Sequence, residues 1–154
     1  MGEIDAPSIP TLLCRVQRTF CALPLTSVVE TMRPLPVQRL GGLPPFLCGV
    51  AIIRGEAVPV VDLATLLGLS EDAPTRYVTL RVGEHHVALA VSEVVGVRAL
   101  LPARLGELPG LLRDSTAQFV QLLGTLDERL LLVLNGARLV PDGLWKHLDS
   151  GPIA

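Results

Sequence analysis

The apolar positions of this chain fall in short runs separated by turn residues. Val50 to Ile53 and Val58 to Val61 are rich in β-branched side chains, which suit a pleated, buried surface, and Arg54, Gly55 and Glu56 lie between them. The pattern predicts a strand, a tight turn on Gly55, a return strand and a short helix. Asp62 stands where a side-chain oxygen caps a helix beginning at Leu63, and Gly68 where a left-handed residue ends it. Val87 to Val91 and Leu130 to Leu134 are further apolar runs, and a hairpin turning near Gln17 and Arg18 can set Cys14 opposite Cys21.

The same order of elements occurs twice. Laying Cys14 to Arg33 on Leu80 to Ala99 pairs Arg15 with Arg81, Val16 with Val82, Ala22 with Ala88, Leu23 with Leu89, Val28 with Val94 and Val29 with Val95, all identical. A Pro/Gly-rich loop follows each copy, Arg33 to Pro45 and Leu101 to Gly110, and then a hairpin, the second spanning Phe119 to Asn135. Asn135 falls at the place of Asp62 as a weaker cap. Two hairpins of similar pattern also share identities by chance, but the shared order favours duplication. Each half is small for independent stability, so two small sheets closed into barrels and packed together are expected. The seam between copies is a natural binding place.

The chain has 154 residues, enough for one domain or two small ones sharing a core. Aromatic residues are only 3%, so the core must be built from Leu, Val, Ala and Ile, and a base-stacking surface is not expected. A formal charge of −2 leaves no electrostatic footprint for nucleic acid. The apolar runs are too short to span a bilayer and the N-terminus lacks the pattern of a signal peptide, so a cytoplasmic protein without direct membrane insertion is expected. Cys14, Cys21 and Cys48 are an odd number without CxxC spacing, which suits reduced, buried thiols; a Cys14–Cys21 disulfide is the other reading.

Catalytic patterns are missing. No Gly-x-Ser-x-Gly, phosphate loop or His-Glu-x-x-His occurs. His85 and His86 are neighbours on a predicted hairpin and so face opposite ways, which argues against a shared metal. His147 has only Asp149 near it at ligand spacing, and Asp114 to Thr116 reads as a turn or cap. No catalytic residue, metal or cofactor is expected. Most acidic residues are turn charges, but Glu30 ends the run Thr26 to Glu30 on a half-buried strand, where a carboxylate needs a partner or water. Met1 to Thr11 reads as a loosely held lead-in. Asp142 to Leu148 can form a helix with Leu144, Trp145 and Leu148 on one side, either plugging a barrel end or making Trp145 an interface anchor.

The segment Gly49 to Gly68 resembles the CheW family, whose motif Gly-Val-x-Asn-x-Arg-Gly-x-x-x-Pro-x-x-Asp-Leu is present as Gly49, Val50, Arg54, Gly55, Pro59, Asp62 and Leu63, with Ile52 in place of the usual Asn. The likeness extends through Val140. It implies a mainly β fold of two SH3-like five-stranded barrels with short helices, here a first barrel at 12–76, a second at 77–141 and a helix or tail at 142–154. It also implies a non-catalytic adaptor between the cytoplasmic tip of a methyl-accepting chemoreceptor and the regulatory domain of a CheA-type histidine kinase. On that resemblance Glu30 pairs with Arg54. Val28, Glu30, Gly49 and Arg54 would meet the receptor, and Gly55, Val58 and Pro59 the kinase. A diverged adaptor with one partner or acting outside swimming, and a small-barrel ligand-binding module, are the alternative functions.

Overall fold

The computed structural model describes residues 8–69, 73–101, 120–126, 129–135, 140 and 145. The first strands are β1 (Ile9–Val16), β2 (Thr19–Pro24), β3 (Val28–Met32), β4 (Leu47–Ile53) and β5 (Glu56–Asp62). Helix α1 (Leu63–Leu66) follows. Then come β6 (Arg76–Val82), β7 (His85–Val91), β8 (Glu93–Leu100), β9 (Val120–Leu126) and β10 (Arg129–Leu134). They form two five-stranded sheets in the orders β8-β1-β2-β10-β9 and β3-β6-β7-β5-β4.

These orders are the same order with the two copies exchanged. Each sheet takes a hairpin from one copy (β1–β2 or β6–β7) and three strands from the other. The register repeats as well: Val28 faces Leu80 in one sheet and Val94 faces Cys14 in the other, while Val60 faces Ala88 and Val133 faces Ala22. Duplication is therefore visible in the hydrogen bonding and not only in the residue identities.

Five-stranded sheets are as expected, but boundaries at 12–76 and 77–141 do not follow them. The reason lies in the connection between β7 and β8, where Ser92 alone separates the strands. One residue cannot reverse a chain, since the tightest common hairpin loop needs two. The chain therefore runs on from one sheet into the other. The 3-10 turn Leu25–Ser27 makes the corresponding passage from β2 to β3.

Both faces of the inner strands are buried. Leu12, Cys14, Leu23, Val61, Val78, Leu80, Leu89 and Leu134 join a core drawn from both sheets. Their strand neighbours fill two smaller clusters, Ile53, Val58, Val60, Tyr77 and Ala88 in one sheet and Leu13, Phe20, Ala22, Leu131 and Val133 in the other. Doubly buried strands read as continuous apolar runs. Gly68 follows the helix with a φ of +74°, as expected. Asp62 caps it differently from the expectation: it makes no side-chain bond to a helix amide, and its Oδ2 accepts from the Thr65 hydroxyl at 2.8 Å. Trp145 packs against the shared core and stacks on His85 at 4.4 Å, which fits the plug; Leu144 and Leu148 lie outside the described residues.

Cys14 and Cys21 face each other across the β1–β2 hairpin as buried free thiols. Burial pushes the Cys14 thiol up to about 12, and burial followed by the proximity of Cys14 raises Cys21 as well. The folded protein thus keeps protons that the unfolded chain gives up above the ordinary thiol value of 9.0. The stability this contributes is whole below that pH and declines as pH rises toward the folded values. In a Cys14→Ala/Cys21→Ala variant the loss of urea midpoint between pH 8 and 11 should be shallower than in the wild type. An equally steep loss would contradict the assignment.

Candidate protein-docking site

The β4–β5 hairpin turns on Arg54 and Gly55, both with positive φ, +53° and +80°. Two central residues of this kind form the turn whose twist matches the flanking strands, and glycine supplies the second without steric cost. Arg54 is held so that its side chain leans across to β3. Its Nη2 donates to Glu30 Oε1 at 2.9 Å and its Nε to Oε2 at 3.2 Å, a two-point clamp between planar groups. The Glu30 hydrogen bonds, and then its charge, raise the Arg54 pKa above its ordinary value. Even so, 78% of the Arg54 side chain remains exposed, against 29% for Glu30. Glu30 is fixed from behind, because its backbone N–H donates to the Thr79 hydroxyl and its carbonyl accepts from it, both at 3.2 Å.

A β-bulge decides what stands beside this pair. Val28 faces Leu80 and Glu30 faces Thr79, so Val29 is the extra residue on β3. The bulge breaks strand alternation: Val28 packs against the shared core, whereas Val29 is turned outward and is 49% exposed. Val29, Glu30, Ile53, Arg54, Glu56, Val58, Thr79 and His86 then enclose a pocket of about 50 Å³. Across it His86 Nδ1 lies 2.8 Å from Glu56 Oε2.

The second sheet has the matching bulge, since Val94 faces Cys14 and Gly96 faces Leu13, leaving Val95 extra and exposed. Its chemistry is different. Gly96 takes the place of Glu30, Leu13 that of Thr79, Phe20 that of His86 and Arg129 that of Glu56. Phe20 and Leu13 are buried in an apolar cluster and the Arg129 guanidinium lies 5.7 Å from the Phe20 ring centre. The sequence places Asp127, outside the described residues, where Arg54 would be. One fold thus carries a pocket edged by charged side chains on one copy and a buried apolar cluster on the other.

A family model for the CheW-like domain matches residues 10–143. The chain belongs to the CheW family. It is 29% identical over 117 residues to the chemotaxis protein CheW of Klebsiella aerogenes, covering 74% of this chain and 70% of that one. With the CheW of Bacillus subtilis it shares 25% identity over 117 residues, 74% of this chain and 75% of the other. In fold it is similar to the crystal structure of the scaffolding protein TtCheW from Thermoanaerobacter tengcongensis, with a TM-score of 0.73 at 15% identity over 87% of this chain and 98% of that one. Its role is that of a chemotaxis adaptor, and the CheW family works without catalysis. No helix among the described residues is long and apolar enough to cross a membrane.

Among the residues that the CheW resemblance singled out, Glu30 and Arg54 are brought together at the surface and Gly55 is exposed at the turn. The others lie deeper. Val28 faces inward because of the bulge, and Val29 takes its place beside the pair. Gly49 is buried, with a φ of +141° that lets Gln38 pass against it, so its role is to admit that segment. Val58, 2% exposed, and Pro59 are buried in the sheet interior and offer no side chain to a partner. Ile52 is 64% exposed opposite the exposed Ala57. Sequence reading missed Val29, Thr79 and the Glu56–His86 contact. A bulge leaves no mark in a β-branched run, so the sequence held no signal for Val29.

Proposed function

We propose that this CheW-family chain joins a chemoreceptor to a CheA-type histidine kinase in a signalling array and catalyses nothing itself. The observation that carries the reading is the Arg54–Glu30 clamp, a charged pair displayed on a left-handed turn at the rim of an open pocket, whose second-copy place holds Gly96 and a filled apolar cluster. Nothing in the fold requires it. The helical tip of the receptor would lie against β3 and the turn, with Val29 as apolar contact and the pair setting orientation. The regulatory domain of the kinase would meet the outer side of the same hairpin, where Ile52, Gly55 and Ala57 are exposed. Two partners on opposite sides of one stiff hairpin are coupled by geometry.

Arg54→Glu sets two carboxylates against each other and should lower capture of a receptor-tip fragment at least about tenfold. Capture of the kinase fragment and the unfolding midpoint should stay near wild type. Undiminished receptor capture by the folded variant would remove Arg54 from the site.

A further inference from the structure

We propose that the Glu56–His86 contact makes the pocket beside the Arg54–Glu30 pair a selective socket, one that takes an aliphatic side chain together with a neighbouring hydrogen-bond donor from the docking helix. The inference rests on the receptor-docking reading and says what that site selects.

The floor and inner wall are apolar, made by Ile53 and Val58 with Val29 at the lip, and Ile53 and Val58 are already buried. A space of about 50 Å³ is several times what one water needs, which suits an aliphatic side chain and not a ring. The Thr79 hydroxyl is engaged with the Glu30 backbone in both directions, so it is not free to select a partner. Selectivity therefore falls to His86. An ionised carboxylate only accepts, so the contact with Glu56 assigns the proton to His86 Nδ1. In the neutral ring Nε2 is then an acceptor, and on a residue that lines the pocket it is matched by a hydroxyl or carboxamide donor. The charged groups around the ring are Glu56 on β5, Glu30 on β3, Arg54 on the turn and Arg81, which faces His86 in register on β6; Glu84 is in the adjoining turn.

The protein supplies its own control. Phe20 occupies the place of His86 in the second sheet and is buried in an apolar cluster, so an aromatic ring is compatible with the fold there. His86→Phe should close the socket. Its receptor-tip affinity is expected to fall about tenfold, with the unfolding midpoint and kinase capture held. His86→Gln keeps an amide oxygen as acceptor and should retain most of the affinity.

The probe is the helical-hairpin tip fragment of a chemoreceptor, titrated against wild type, Arg54→Glu, His86→Phe and His86→Gln. If Arg54→Glu weakens binding while His86→Phe binds like wild type, the socket is overturned and the docking site stands. If His86→Gln binds as weakly as His86→Phe, the part assigned to the ring acceptor is overturned. If neither Arg54→Glu nor His86→Phe changes binding, both the socket and the docking reading fail.

Discussion

Gly49→Ala is expected to leave the protein barely folded. A Cβ at this position would lie 2.2 Å from the Gln38 carbonyl oxygen, 2.8 Å from its carbon and 2.9 Å from Val37 Cγ1. Two of these atoms are backbone and cannot swing aside, because Gln38 is bridged to Val50 by a pair of hydrogen bonds of 2.8 Å each. Relief requires breaking that bridge or moving β4, and the backbone at a φ of +141° is itself adverse to a side chain. Together these should cost on the order of 4 kcal/mol, a large share of the 5 to 15 kcal/mol typical of a domain. Gly55→Ala is the control: it has a positive φ of +80° with nothing within 4 Å of the added carbon, and should cost only about 1 to 2 kcal/mol. Denaturant midpoints of the two variants against wild type check this. Equal midpoints would show that the approach of Gln38 is not the reason for glycine at 49.

The second large effect concerns the exchange of hairpins. A protein built of consecutive barrels would yield a foldable half when cut between them. Here β1 and β2 have β8 and β10 as their outer neighbours, and β6 and β7 have β3 and β5, so neither half contains a complete sheet. Cut after residue 74, each fragment would leave long strand edges without partners and the shared core open. Neither fragment alone is expected to show a cooperative transition, and mixing them should restore one, together with protection of the β1, β2, β6 and β7 amides against hydrogen exchange. A cooperative transition in the isolated 1–74 fragment would contradict the exchange.

Much of the architecture was legible. The β-branched runs on either side of Arg54 and Gly55, the Gln17–Arg18 turn and the repeated order of elements are local signals, and strands, turns and duplication answer to them. The exchange was not legible from periodicity. Its one trace is the stretch Val91-Ser-Glu93, where no Gly, Pro or Asn marks a reversal, and an absent turn is easily read past. In the site, Glu30 stood out as a carboxylate on a half-buried strand and Arg54 as a charge without a structural task. Their clamp is what the structure holds. The burial of the other residues has physical causes: a bulge at Val29 defeats alternation for Val28, and burial of both faces of β5 hides Val58 and Pro59 alike, where a sheet with one wet face would have displayed one of the two. Glu56 and His86 sit on strands 30 residues apart in the chain, and only the parallel pairing of β5 with β7 brings them together.

The central claim, that one hairpin holds receptor and kinase at once through separate faces, is tested most directly by a mixture of all three components. Wild-type protein with the receptor-tip and kinase regulatory fragments should give a ternary complex by size-exclusion chromatography with light scattering. Folded Arg54→Glu should give only the binary complex with the kinase fragment. A ternary complex of undiminished yield with Arg54→Glu, or loss of both partners from a variant with a wild-type unfolding midpoint, would contradict the account.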